Sequence, residues 1–388
     1  MLPTTLNRSY YPALDGLRGI AIVLVICCHN FNFIPYFRLG WVGVDLFFVL
    51  SGFLITDILL RTKGEKNFLQ NFYLRRVLRI FPLYYGCVLL FFMIAPLFAQ
   101  LAQQYHYYQQ HQSMSWLHLQ NWLYIFHEKP SDYLLLNHFW SLSVEEQFYL
   151  VWPFVVLAVR STRRLGQIAM GVLLCCIAGR LASWMIIGNG YINFYFQYMT
   201  RVDGLCVGSL IAIWRFTEAG VARKKLLRTA SILLGTHLVV AILAKTIFKG
   251  FPHFQFFGYS SVAILFGIAI YFSIEIRTKW SRFFLENAVL RYLGRISYGI
   301  YVYHWPVLIL AKLYFLKPMI GRGYSPDSSY LILSVAALAL TLLLSVLSYH
   351  FFEKRILSLK HVITGEDFFE RIKKKISWLF SPRPRGSV

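Results

Sequence analysis

An arginine and a histidine stand eleven residues apart in one apolar run, Arg18 and His29 within LDGLRGIAIVLVICCHNF. A neutral imidazole can take a proton from a hydroxyl, and a guanidinium fork matches carboxylate or phosphate oxygens. On a straight helix eleven residues turn about 1100°, three full turns plus roughly 20°, and rise about 16 Å. Arg18 and His29 therefore share one face, and Asp15, three residues before Arg18, is close enough to pair with it. Ionisable groups in a bilayer are costly, so a polar stripe on a membrane helix marks a substrate or proton path.

Further candidates follow along the chain. Asp45 sits at the start of the second apolar run, GWVGVDLFFVLSGFLIT, where His29 or an arginine could partner it. Arg75, Arg76 and Arg79 open the third run in FYLRRVLRIFPLYY, aligned within one turn. Such a cluster suits phosphate oxygens, and its plainer alternative is a set of snorkelling anchors at the bilayer surface. Glu145 and Glu146 lie side by side in NHFWSLSVEEQFYLVWP. They point about 100° apart on a helix, so at most one faces the same cavity as His29. A carboxylate there would raise the imidazole's basicity, whereas two solvated acids at a helix start would do nothing chemical. Arg201 and Asp203 in YMTRVDGLCVGSLIA are two residues apart and cannot face each other. Each pairs elsewhere, to orient an acceptor or to tie helices together. His304 precedes Pro306 in LGRISYGIYVYHWPVLIL, a setting that suits hydrogen bonding to backbone groups freed by the proline.

The elements that must position these residues are membrane helices. The chain has 388 residues, 57% hydrophobic and only 14% charged, well under the quarter usual for a soluble domain. Ten apolar spans are predicted, over 13–31, 41–60, 76–98, 140–159, 166–187, 197–214, 229–246, 256–274, 296–315 and 329–350. The formal net charge of +22 does not imply nucleic acid, because no basic–aromatic module appears and the cations sit between spans. With a cytoplasmic N-terminus, 29 lysines and arginines fall on inner connections and six on outer ones. That asymmetry places both termini in the cytoplasm. The six cysteines show no ligand spacing, so neither a disulfide framework nor a metal site is indicated. The connection 99–139, rich in Gln, His, Tyr and Trp, reads equally as an interfacial aromatic belt or as a grip on a sugar. The tail from 356 to 388 reads as a basic amphipathic helix on the anionic leaflet, followed by a disordered end.

Taken together, the quoted motifs resemble the acyltransferase-3 family of bacterial membrane enzymes that O-acylate sugars. The Arg-x10-His pair, the Arg-x-x-Arg, the paired glutamates, Arg201 with Asp203, and SYHFFEKR ending near Glu353 occur in the family's order, over roughly residues 10–355. The resemblance implies an all-α bundle of about ten transmembrane helices in the bacterial inner membrane, with residues 1–355 as the transmembrane domain. It implies transfer of an acyl group, most simply acetyl, from cytoplasmic acyl-CoA to a hydroxyl of an extracytoplasmic carbohydrate. No permanently bound cofactor is implied. The catalytic candidates are then His29, Asp45, Glu145 and Glu146. Arg18, Arg75, Arg76 and Arg79 become the donor site, and Arg201 and Asp203 the acceptor site. The rival is a transporter or flippase, whose interior is also charged; no clear internal repeat supports it.

The charge asymmetry predicts positions 64, 162, 222 and 280 on the cytoplasmic side and positions 110 and 250 outside. Single introduced cysteines should label accordingly with a membrane-impermeant thiol reagent. Labelling of 64 and 110 from the same side would end the ten-span topology.

Overall fold

A computed structural model describes residues 10–127, 129–131, 133–188, 198–217, 223–244, 257–275 and 278–359. The amphipathic tail expected after 356 lies almost wholly outside them. Every element among the described residues is helical. In chain order, α1 (Pro12–Asn30) leads through a 3₁₀ turn (Pro35–Trp41) to α2 (Val42–Thr62) and α3 (Phe68–Ile94). Three short helices, α4 (Ala102–Gln110), α5 (Gln112–Trp116) and α6 (Gln120–Phe126), precede α7 (Trp140–Ala158) and α8 (Thr162–Ile187). There follow α9 (Val202–Phe216), α10 (Arg223–Ala244), α11 (Tyr259–Glu275) and the short α12 (Lys279–Leu285). The chain then forms α13 (Ala288–Gly321), α14 (Pro326–Ser348), a π turn (Tyr349–Glu353) and α15 (Lys354–Ser358).

All ten expected spans fall on helices, but six of these stretches are long and apolar enough to cross a bilayer: Pro12–Asn30, Pro35–Thr62, Phe68–Leu97, Thr162–Ile187, Ala288–Gly321 and Pro326–Ser358. The other four expected spans fall on α7, α9, α10 and α11. Of these, α9 and α11 run for 15 and 17 residues, short of the ~20 that span hydrocarbon unaided.

Local chemistry sets the helix ends. Pro12 starts α1, where its missing N–H costs nothing. Side chains of Ser161, Asn287 and Ser325 cap α8, α13 and α14 by accepting from backbone N–H groups. The tight turn before α3 uses Asn67 at φ 61°, a left-handed conformation that asparagine tolerates.

The apolar α2 is the axis of the bundle. Its Phe48, Val49, Phe53, Ile55 and Leu59 are almost wholly buried, as expected of a helix apolar all round. Two glycine contacts bring backbones together around it. A Cβ on Gly208 of α9 would collide with the Val49 carbonyl oxygen and the Phe53 nitrogen of α2. A Cβ on Gly294 of α13 would collide with the Asp15 carbonyl of α1. Small residues at such crossings allow close packing where lipid offers no hydrophobic drive.

The 99–139 connection folds down on α3 and α7. Tyr108 and Tyr124 are fully buried and share a 2.9 Å hydroxyl contact, while the Tyr84 and Tyr85 hydroxyls donate to the carbonyls of Ser115 and Trp116 at 2.7 and 2.9 Å. The His118 ring stacks on Tyr84 with centroids 3.9 Å apart. Burial pushes its imidazole down to about 4, so it docks uncharged at neutral pH. Much of this segment's aromatic content is therefore packing, a use beyond either expectation for it.

Gly208→Ala should destabilise the protein by on the order of 1–3 kcal/mol through overpacking. Gly171→Ala on α8, whose Cβ would meet nothing within 4 Å, should stay within about 0.5 kcal/mol. Thermal unfolding in detergent compares the two.

Candidate active site

The sequence candidates separate into three groups in space. The first surrounds a cavity of about 510 Å³ between α1, α2, α3, α7 and α13. Arg18, Arg75, Arg76 and Arg79 all line it, together with Asp15, Asp57 and Glu145. Arg75 is exposed and the other three arginines are half-buried. The carboxylates are already engaged. Asp15 accepts from the Tyr10 hydroxyl at 2.6 Å, Glu145 from the Ser51 hydroxyl at 2.7 Å, and Asp57 from Arg61 at 2.9 Å. The expected close Asp15–Arg18 ion pair does not form; both residues line the cavity, and Asp15 takes its hydrogen bond from Tyr10. None of the four arginines takes part in an ion pair among the described residues. Arg76 lies over the rings of Phe72 and Tyr149, at 5.8 and 5.2 Å, which holds the cation without neutralising it. Four cations outnumber the carboxylates of Asp15 and Glu145 in this concave site and make no close ion pair with them, an arrangement suited to an anion.

Adjacent glutamates point different ways, as the helix period requires. Glu145 faces this cavity; Glu146 does not line it, and its Oε1 is buried without a hydrogen-bond partner among the described residues. Glu353, in the π turn, accepts from Ser348 at 3.0 Å, and Leu357 of α15 closes part of the cavity.

The second group ties helices together. Asp45 of α2 meets Arg201 at 2.5 Å, and the guanidinium lies 3.9 Å over the Tyr259 ring of α11. Asp203 of α9 takes 2.8 Å and 2.6 Å bonds from Arg180 of α8 and Ser260 of α11. All four charged residues are buried. Sequence reasoning left open whether Arg201 and Asp203 hold an acceptor or join helices. Their partners were illegible, because α8 and α11 are distant in the chain. Asp45 takes the arginine alternative.

The third group contains His29. Its Nδ1 lies 2.9 Å from Nε2 of His304, and Trp305 sits edge-on to its ring at 5.0 Å. His304 does not bond to the carbonyl that Pro306 frees. Pro306 has no N–H for Val302, four residues back, and that carbonyl is reached by Nε2 of His138, at 3.2 Å. His138, not singled out from sequence, thus takes the role expected of its neighbour; the signal that could have found it was a proline demanding a donor. His29 does not line the arginine cavity. Tyr301 bridges the two regions: it lines the cavity, its hydroxyl contacts Ser141 at 2.5 Å and donates to the His138 carbonyl at 3.0 Å, and its ring lies 5.4 Å from that of His304. Among the described residues no cluster of His, Cys, Asp and Glu could hold a metal ion.

The sequence profile of the acyltransferase domain, Acyl_transf_3, matches residues 11–350. The chain belongs to the acyltransferase-3 family. It is 31% identical over 412 residues to the peptidoglycan O-acetyltransferase OatA of Listeria monocytogenes, covering 99% of this chain and 61% of that one. It is 32% identical to the putative peptidoglycan O-acetyltransferase YrhL of Bacillus subtilis, covering 92% and 56%. A putative O-acetyltransferase of Staphylococcus aureus is 27% identical, covering 89% and 57%. This acyltransferase-3 chain spans about three fifths of the length of these relatives. No solved structure matches it. The resemblance carried by the sequence motifs is thus borne out at the level of family, and the matched region contains the four arginines, both buried ion pairs and His29 with His304.

The buried ion pairs in this acyltransferase-3 domain should register first in stability. Asp203→Ala leaves Arg180 buried and unpaired, at a cost of about 3–5 kcal/mol, while Asp203→Asn should cost less. Thermal unfolding measures the loss. Unchanged stability together with weakened acceptor use would instead make Asp203 an acceptor ligand.

Proposed function

We propose that this protein is an O-acyltransferase that moves an acetyl group from acetyl-CoA to a hydroxyl of a carbohydrate across the bacterial inner membrane. The observation that carries the reading is the convergence of four arginines, none in an ion pair among the described residues, on one cavity. The diphosphate and ribose phosphate of a coenzyme A thioester supply the multiply charged anion this cavity calls for. Arg75, exposed, meets the donor at the mouth; Arg18, Arg76 and Arg79 hold it deeper. Glu145, engaged by Ser51, keeps the local charge from becoming excessive.

His29 is the general base. The acceptor hydroxyl loses its proton to the imidazole as its oxygen attacks the thioester carbonyl. The C–O bond forms, the C–S bond breaks, and the coenzyme thiolate departs and takes up the proton. Arg18 and His29 lie on one helix face about 16 Å apart in rise, so a phosphate held low and a thioester reaching high can occupy the same helix. Coenzyme A is too polar to cross, so the donor enters from the cytoplasm and the acceptor from outside. With both termini cytoplasmic and ten crossings, the arginines lie on the donor side. The relatives named for peptidoglycan acetylation make a cell-wall glycan the first acceptor to try. The transport alternative rested on interior charge. Much of that charge is accounted for by the Asp45–Arg201 and Arg180–Asp203 pairs.

Arg76→Ala or Arg79→Ala should weaken acetyl-CoA binding by about 1.5–3 kcal/mol, roughly tenfold or more, with lysine restoring only part. His29→Gln should bind acetyl-CoA normally and transfer nothing, since an amide cannot act as a base. Isothermal binding and acetyl transfer to a glycan acceptor by purified protein test both. Unchanged donor affinity in the alanine variants would reduce the cluster to a membrane anchor, and near-native turnover by His29→Gln would remove the base.

A further inference from the structure

His304 reaches His29 from across the bundle, 275 residues away in the chain, and the hydrogen bonds behind it fix which nitrogen carries each proton. His304 Nδ1 lies 2.7 Å from the Tyr301 carbonyl and 3.2 Å from that of Ile300. A carbonyl oxygen only accepts, so this nitrogen carries the hydrogen. The ring is fully buried. Its bonded partners are two carbonyls and an imidazole, with no carboxylate to balance an imidazolium, so it stays neutral. Nε2 of His304 is therefore a lone pair. Across the 2.9 Å contact the donor must be the N–H at Nδ1 of His29, which leaves the His29 lone pair on Nε2.

The two rings lie within 6° of parallel with centroids 5.1 Å apart, the arrangement of two imidazoles joined edge to edge through one N–H···N bond. His304 is itself hemmed in. His138 packs edge-on at 5.3 Å, anchored through its Nε2 on the Val302 carbonyl, and Tyr301 lies at 5.4 Å. Trp305, next in the chain, is pinned by an N–H donated to the Leu134 carbonyl at 2.8 Å. A ring so enclosed cannot turn over to exchange its nitrogens without breaking these contacts.

We propose that His304 is a positioning residue that holds His29 in the single tautomer able to accept a proton at Nε2. The proposal deepens the reading of His29 as the base and rests on it for its catalytic consequence. When the acceptor hydroxyl gives its proton to Nε2, the charge on His29 is shared through the Nδ1–H with the His304 lone pair. The same proton leaves from Nε2 to the coenzyme thiolate. Without the acceptor at His304, the His29 ring divides between two tautomers, and in one of them the lone pair is on the wrong nitrogen.

Nitrogen-15 NMR of the full-length protein, labelled in histidine and held in detergent micelles, reads the tautomer directly. His29→Gln identifies the His29 signals by their loss. In the unaltered protein His29 should show a protonated Nδ1 and a lone-pair Nε2. In His304→Phe, which keeps a ring but offers no acceptor, both tautomers should appear, and kcat should fall at least about tenfold with the KM for acetyl-CoA unchanged. His304→Gln, whose amide oxygen can accept from Nδ1, should recover the single tautomer and part of kcat. A hydrogen on Nε2 of neutral His29 in the unaltered protein overturns the proposal, and this measurement stands even if His304→Phe fails to fold. An unchanged tautomer in a folded His304→Phe protein overturns it as well. Turnover surviving in His29→Gln would end the base assignment alone and leave the tautomer result intact.

Discussion

A charge inside an apolar bundle must find a counter-charge, a hydrogen-bond shell or a ligand, and this requirement sorts the interior of the molecule. Asp45 with Arg201, and Asp203 with Arg180, satisfy it internally and are buried on all sides. Asp57, Arg61, Arg215 and Tyr11 form a smaller network at the cavity edge, with Tyr11 taking 2.7 Å bonds from both arginines. Arg18, Arg75, Arg76 and Arg79 have no such partners among the described residues and open on one cavity. The same physical cost that makes the first group structural leaves the last group suited to an anion.

Packing keeps these uses apart. The ion pairs lie where α8, α9 and α11 close on α2, and glycines let the backbones of α2 and α9 touch. That side of the bundle is locked. The other side, formed by α1, α3, α7 and α13, leaves room for the cavity. Because α2 borders both, a change in the pair at Asp45 would be felt at Ser51, almost two turns along the same helix, and through its hydroxyl at Glu145 of α7. The cavity therefore depends on residues that never touch its contents.

Between the cavity and His29 stands a layer built on Tyr301, Ser141 and His138. Pro306 contributes to that layer indirectly. By removing a backbone donor it exposes the Val302 carbonyl, and the histidine that satisfies it packs against the ring supporting His29. A proline in α13 and the surroundings of a candidate base on α1 are thus linked.

Composition and period alone determined a good deal here. The hydrophobic and charged fractions pointed to a membrane bundle, because apolar runs of bilayer-spanning length with so few charges suit a hydrocarbon surrounding. The helical period put Arg18 with His29 on one face and drove Glu145 and Glu146 apart, and both follow from backbone geometry over a few turns. Residue order carried the family. What only the tertiary structure decided is every pairing between distant segments: Asp45 with Arg201, Asp203 with Arg180, His138 with the Val302 carbonyl, and His29 with His304. It also decided which glutamate faces the arginines, because the period says only that the two differ. The physical reason is range. A helix fixes the relative directions of its own side chains, but its rotation about its axis, and so what each side chain meets, is set by the glycine contacts and ion pairs of its neighbours.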